Sequence, residues 1–196
     1  MAEDPEPGVR GPQGPQRKGR QNGGDPDPYR SGTPGRARGG ETVRRKDKEI
    51  TDVAQIREIL ERGKICRVAF FDDEYPYMVP VCFGFDGEAI YFHGFNGGKK
   101  MECLRKNPRV CFEIEEDIEI VSDPDPCEWT LKYRSVVGFG KATVLEGAEE
   151  KRAGLDVVVR QFAGRELPFP DHAMAAVAVV RIDIDSMTGR RNGHPC

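Results

Sequence analysis

No run of apolar residues in the 196-residue chain approaches the roughly 20 that a helix needs to cross a bilayer. The first 30 residues also lack the hydrophobic centre of a secretory leader. The expectation is a water-soluble protein of the cytoplasm, without a membrane partner. There is no C-x-x-C pair among Cys66, Cys82, Cys103, Cys111, Cys127 and Cys196, and no histidine stands beside them at zinc spacing. That argues against a metal site and for buried or partly buried thiols in a reducing compartment. Nor is there an excess of positive charge. The chain has 30 Lys and Arg against 33 Asp and Glu, and its basic surplus is confined to residues 1–48. The remainder is mildly acidic, opposite to the footprint of a nucleic-acid binder. Tryptophan occurs once, at Trp129, and no acid–base pair stands out.

What is present divides unevenly. Residues 1–40 hold 10 of the 23 glycines and 7 of the 15 prolines, with almost no large apolar side chains. Such a stretch cannot bury enough surface to offset its ordering entropy, so residues 1–43 read as a disordered tail. Asp52 with Gln55 three residues on opens a helix, Val53, Ile56, Ile59 and Leu60 recur at helical spacing, and Gly63 stops it. Strands follow over 64–71, 77–85 and 88–93, the last two joined by the hairpin signal Asp86-Gly87. A short helix begins at Lys99 and ends before Pro108. A fourth strand over 109–121 turns Val110, Phe112 and Ile114 to one face, and a fifth covers 135–145. In the fifth, Gly138 and Gly140 mark a bend or a close backbone approach. A second helix spans 149–162 with Leu155, Val158, Val159 and Phe162 as its stripe, and a last strand spans 176–185. Six strands, sparse helices and short hairpins point to a mainly β fold, a small barrel.

The segment with the clearest chemistry runs Tyr91-Phe92-His93-Gly94-Phe95-Asn96-Gly97-Gly98-Lys99-Lys100. It is strand, glycine-rich loop and helix start in succession. Glycines let backbone amides approach a ligand, and a helix N-terminus offers unsatisfied N–H donors and partial positive charge. Two lysines there add cations where the helix dipole disfavours them, which a bound phosphate would explain. The alternative is a solvated lysine pair on a loop. His93 is a donor to a phosphate or flavin edge, an axial ligand to haem iron, or simply the end of a strand. Trp129 either covers an aromatic ring system or plugs a barrel end. Arg134 either forks onto a phosphate or lies on the surface.

The order of these segments resembles a known family. A helix precedes Arg67-Val68-Ala69, then Tyr77-Met78-Val79-Pro80, then Tyr91-Phe92-His93-Gly94 followed by Gly98-Lys99-Lys100. Asn107-Pro108-Arg109-Val110-Cys111-Phe112-Glu113 comes next, then Cys127 and Trp129, then Tyr133-Arg134-Ser135-Val136-Val137-Gly138-Phe139-Gly140, and Val180-Arg181-Ile182-Asp183-Ile184-Asp185 near the end. The set is similar to the nitroimidazole-resistance branch of the pyridoxamine 5'-phosphate oxidase-like proteins. The resemblance implies a six-stranded FMN-binding split β-barrel over residues 44–189, with 190–196 a flexible tail. It implies a homodimer with one flavin at each end of the subunit interface, and a small-molecule electron acceptor such as a nitro-aromatic. It sets Met78, Val79, Pro80 and Val81 along the flavin ring and His93, Lys99 and Lys100 near its phosphate. Tyr133, Arg134 and Ser135 would come from the neighbouring subunit. The Arg-x-His substrate motif of true pyridoxamine 5'-phosphate oxidases is missing from the end, Arg190-Arg191-Asn192-Gly193-His194, so vitamin B6 oxidation is not expected. Haem in place of FMN, in a carrier or sensor, is the alternative, and a deazaflavin is a further one.

Overall fold

A computed structural model describes residues 45–165, 167, 170, 174 and 177–193. The tail expected over 1–43 and residues 194–196 lie outside the described residues. After a helical turn at Lys46–Lys48 come β1 (Glu49–Ile50), α1 (Val53–Arg62), β2 (Cys66–Phe71), β3 (Pro76–Val81), β4 (Phe83–Phe85) and β5 (Ala89–Phe95). Then follow α2 (Lys99–Lys106), β6 (Arg109–Val121), β7 (Thr130–Leu145), α3 (Ala148–Ala163) and β8 (Val177–Asn192).

The strands form one antiparallel sheet in the order β3-β2-β6-β7-β8-β5-β4, with β1 added to β8. Its two ends, β3 and β4, are chain neighbours separated only by Cys82. The sheet therefore curls until its edges meet without pairing, which is a split barrel. Eight strands replace the expected six for two local reasons. The strand expected over 77–85 breaks at Cys82 into β3 and β4, and the two-residue β1 was too short to show a period.

The alternation that announced β6 is what builds the core. Val110, Phe112 and Ile114 are buried, and they meet Val68, Phe70, Phe92, Val136, Val180 and Ile182 inside the barrel. Each such side chain contributes about 2 kcal/mol of burial. Helix α1 closes one end of the barrel. The Asp52 carboxylate accepts the Ala54 N–H at 2.9 Å and the Gln55 side-chain amide at 3.3 Å, and Ile56, Ile59 and Leu60 face inward while Val53 stays in solvent. Helix α3 lies over β4 and β5. Its Gln161 amide donates to the carbonyls of Leu60 and Glu61, each at 2.8 Å, and satisfies the end of α1 from across the fold. The buried residues of α3 are Gly154, Leu155 and Val158, whereas Phe162, expected on the stripe, is exposed.

The bend expected at Gly138 and Gly140 is a close approach. A Cβ at Gly138 would overlap the Phe112 ring, and one at Gly140 would overlap the Asp183 carbonyl, next to the irregularity in the β7–β8 register at Phe139/Gly140. Backbone cannot yield as a side-chain tip does. Gly140→Ala should therefore cost about 2 kcal/mol or more, read as a lowered urea midpoint at unchanged m-value.

Two strand ends differ from expectation. β7 begins at Thr130 rather than 135, and β8 continues past 185 to Asn192. The extra residues pair with one another: Tyr133 opposes Asn192, Arg134 opposes Arg191 and Ser135 opposes Arg190. Arg190, Arg191 and Asn192 are thus strand, not flexible tail. Beyond Glu116, β6 and β7 run on as a two-stranded arm, with Ile120 opposite Leu131. Trp129 sits at its end, 56% exposed, with the indole N–H on the Asp123 carbonyl at 2.7 Å. It plugs no barrel end.

Candidate functional site

The loop between β5 and α2 is held open by its glycines. Gly98 caps α2 at φ 77°, a left-handed conformation suited to glycine, and contributes no side-chain cap. Its carbonyl accepts from the Met101 and Glu102 N–H groups at 3.0 and 3.1 Å. The N–H groups of Lys99 and Lys100 precede the first helical bond and face outward from the turn.

The two lysines have different fates. Successive helix residues diverge by about 100°. Lys99 turns to the β2–β3 turn and pairs with Asp72 at 2.7 Å. Asp73 of the same turn holds Lys106 at the far end of α2. Lys100 turns the other way, over the Phe92 ring at 5.5 Å. A Cβ at Gly94 would stand 2.5 Å from its Nζ, so that glycine makes room for the ammonium. Among the described residues no carboxylate pairs with Lys100, and burial pulls its pKa below the ordinary lysine value. His93 lies beside it. Burial, and then the Lys100 charge, push the imidazole pKa down, which favours the neutral ring at neutral pH. A half-buried cation without an anion, a neutral imidazole and free helix amides make a cradle that an anionic group would complete.

Strand β3 runs away from this point. Met78 and Pro80 point outward, while Val79 and Val81 pack against the core. Pro76, Met78 and Pro80 share one parity. Proline is tolerated in a sheet where its missing N–H faces away from the neighbour. That parity also sends the Met78 N–H to the open edge, where it is the one main-chain donor of β3 directed away from β2. An extended ligand anchored at Lys100 would meet a nearly donor-free strip of backbone with a single N–H.

Tyr133, Arg134 and Ser135 are elsewhere. His93 opposes Val179, which opposes Leu145, so Arg134 lies eleven residues farther along β7, ~36 Å of strand. Its guanidinium is fully engaged within the chain: by Glu58 at 3.0 Å, Glu116 at 2.5 Å and Asp117 at 2.9 Å. Asp117 occupies a left-handed φ of 54° where the β6–β7 register shifts, and Arg62 also reaches it. This knot fastens the base of the arm to α1. Ser135 is nearly buried. Sequence reasoning missed Glu58, Asp72, Glu116 and Asp117 because each finds its partner on an element distant in the chain or across the β6–β7 register shift.

A second cluster lies on the outer face of β2 and β6. Arg67 Nη1 sits between Glu113 at 3.2 Å and Glu115 at 2.7 Å. Burial, with Glu115 alongside, raises the Glu113 carboxyl to about 7, against the opposing pull of Arg67. A carboxyl raised by folding makes stability fall as pH rises from about 4.5 to about 7, and leaves it level above. Glu113→Gln should therefore gain on the wild type as pH rises, by roughly 1 kcal/mol at pH 8 once solvent screening is allowed for. Thermal melts from pH 4 to 8 read this difference, and a constant offset would count against it. Among the described residues no helix is long and apolar enough to cross a membrane.

Residues 52–191 match the family model described as pyridoxamine 5'-phosphate oxidase. A crystal structure from Bacteroides thetaiotaomicron, of a protein described as a candidate for 5-nitroimidazole antibiotic resistance, is 30% identical with a TM-score of 0.65, covering 73% of this chain and 86% of that one. The FAD and heme binding protein of Mycobacterium smegmatis shares the fold at 21% identity and a TM-score of 0.66, covering 75% of this chain and 74% of that one. An uncharacterized protein of Rhizobium meliloti is 25% identical over 142 residues, which is 67% of this chain and 87% of its own length.

Proposed function

The chain belongs to the pyridoxamine 5'-phosphate oxidase family, and on that premise we propose that it binds FMN and serves as a flavin-dependent reductase of small electron acceptors, nitro-aromatics among them. The observation that carries the reading is Lys100: a half-buried ammonium with no carboxylate partner among the described residues, beside a neutral His93 and free amides at the start of α2. The residues fit the phosphate end of a flavin. Lys100 and the α2 amides would hold that phosphate, with His93 as a donor beside it. The β3 edge would lie along the ring system, with the Met78 N–H as its donor. When bound, the flavin supplies the electron transfer, and the protein binds, orients and limits access to water.

Lys99 enters this reading as a positioning residue, since its ion pair with Asp72 ties the α2 start to the β2–β3 turn. Arg134 likewise anchors the arm. Tyr133 and Ser135 lie too far along β7 to serve the Lys100 site of their own chain, so any contact with the flavin comes from a second copy. A homodimer follows as part of the proposal. Purified protein titrated with FMN tests it: bound flavin absorbance near stoichiometry, and turnover of a nitro-aromatic with a chemical or nicotinamide reductant, are expected. Failure of FMN to bind at any concentration would overturn the reading.

One observation favours a second reading, a haem-binding carrier. A neutral imidazole is the form that ligates iron, and His93 is neutral at neutral pH. Haem addition would then give a sharp Soret band that His93→Ala abolishes.

A further inference from the structure

The turn between β2 and β3 is acidic: Asp72, Asp73 and Glu74 follow one another there. It is tied to α2, the helix whose first amides form the cradle. Asp72 holds the Lys99 ammonium at 2.7 Å, and Asp73 holds that of Lys106. Glu74 is exposed, and among the described residues no cation pairs with it. Glu102, one helical turn along α2, also lies near Lys99. On the rim of the cradle beside Lys99, carboxylates therefore outnumber ammonium groups. Asp72 is the carboxylate placed to matter most. Its hydrogen bond from Lys99 lowers its pKa, so it is charged at neutral pH. Its Oδ1 also accepts the Asp73 N–H at 3.0 Å, which fixes the carboxylate in the turn.

An anion at Lys100 lies one residue from this rim. The Lys99 and Lys100 N–H groups are adjacent donors at the same helix start. A ligand that ends in one phosphate uses them together with Lys100 and His93, and needs nothing farther out. A dinucleotide continues through a second phosphate joined directly to the first. The next cation on the helix is Lys99, which is already neutralised, and further carboxylates stand behind it. We propose that Asp72, by holding Lys99 and setting a negative rim beside the cradle, makes this site select a flavin ending in a single phosphate, FMN, over the dinucleotide FAD. Selection of this kind uses a repulsive element set against the wrong ligand as well as contacts to the right one. The inference rests on the flavin reading above and adds the residue that chooses between flavins.

The experiment is calorimetric titration with FMN and with FAD of the full chain and of two variants that break the same ion pair from opposite sides. Asp72→Asn keeps the Oδ1 acceptor for the Asp73 N–H and frees the Lys99 cation. Lys99→Met uncovers the Asp72 carboxylate. Each is first checked for wild-type circular dichroism and thermal melting. Wild type should prefer FMN by at least about fivefold, the size expected of one exposed charge. Asp72→Asn should lower that preference about fivefold, chiefly by tightening FAD, and Lys99→Met should raise it by a similar factor, chiefly by weakening FAD. The two shifts have opposite sign, whereas an ion pair that only ties α2 to the turn would move both variants the same way. Both shifts should shrink at high salt, where exposed charges are screened. A preference unchanged in the two variants, or shifted in one direction by both, would overturn the role of Asp72. Equal binding of the two flavins by wild type would overturn the selectivity itself. A wild-type chain that binds neither flavin would instead overturn the flavin reading from which the inference starts.

Discussion

Lys100→Met should weaken FMN binding by about 30-fold, while Lys99→Met should change it by no more than about threefold. The two lysines are adjacent, carry the same charge and begin the same helix, so a general electrostatic attraction would lose equally from either. The structure separates them. Lys99 is neutralised by Asp72 at 2.7 Å on the exposed side of α2, and exposed pairs of this kind contribute ~0–1 kcal/mol. Lys100 is half-buried over Phe92, without a carboxylate partner among the described residues. A charge-assisted hydrogen bond from such a group to phosphate is worth about 2 kcal/mol, which is about 30-fold in affinity. The pH dependence follows the same logic. The free protein holds the His93 pKa below its ordinary value, and an anion alongside favours the imidazolium. Binding thus takes up protons, and FMN affinity should rise as pH falls from 7 toward 6. Flavin fluorescence quenching reads both effects. Equal losses at the two lysines would show that charge at α2, and not the Lys100 cradle, attracts the ligand.

Arg134→Met should destabilise the fold by about 3 kcal/mol at pH 7.5. Methionine keeps the length and removes the charge, leaving Glu58, Glu116 and Asp117 with only Arg62 between them. Glu58 and Asp117 keep access to water, but Glu116 is buried, and removing its partner strands that carboxylate at a penalty that exceeds what the pair contributed when intact. The Glu116 side chain is 8% exposed, and burial raises its carboxyl pKa above the ordinary value. Protonation relieves the stranded charge, so the difference between variant and wild type should shrink as pH is lowered toward 4.5. Urea unfolding at the two pH values measures it. A cost equal at both would mean that the loss is packing of the Arg134 stem and not charge.

The parts of the fold written in short-range pattern were legible. The β6 alternation, the α1 cap at Asp52 and the Asp86-Gly87 hairpin depend on neighbours a few residues away, and each stands where the residues indicate. The Asp86 carboxylate accepts the Glu88 and Ala89 N–H groups, both at 2.8 Å, and fixes that turn. The departures are long-range. Strand β7 starts five residues early because Thr130 and Leu131 find partners in Val121 and Ile120 beyond the register shift at Asp117. Strand β8 runs past Ile184 as a polar stretch that no hydrophobic period reveals, because Arg190, Arg191 and Asn192 are recruited by β7.

The candidate site was legible to the same degree. The glycine loop with two lysines stood out as an anion cradle, but only the folded β2–β3 turn shows that Asp72 occupies one of the two. Arg134 reads equally well in sequence as a phosphate fork or a surface arginine. In the fold, three carboxylates from α1 and β6 converge on it, a placement that no short-range pattern announces.

Flavin capture as proposed here requires a phosphate gripped between Lys100, His93 and the first amides of α2. Calorimetric titration of the same preparation with FMN and with riboflavin, which share a ring system and differ by that phosphate, tests it most directly. FMN should bind at least about 30-fold more tightly, and the advantage should largely vanish in Lys100→Met. Equal affinity for the two flavins in the wild-type protein would contradict the account.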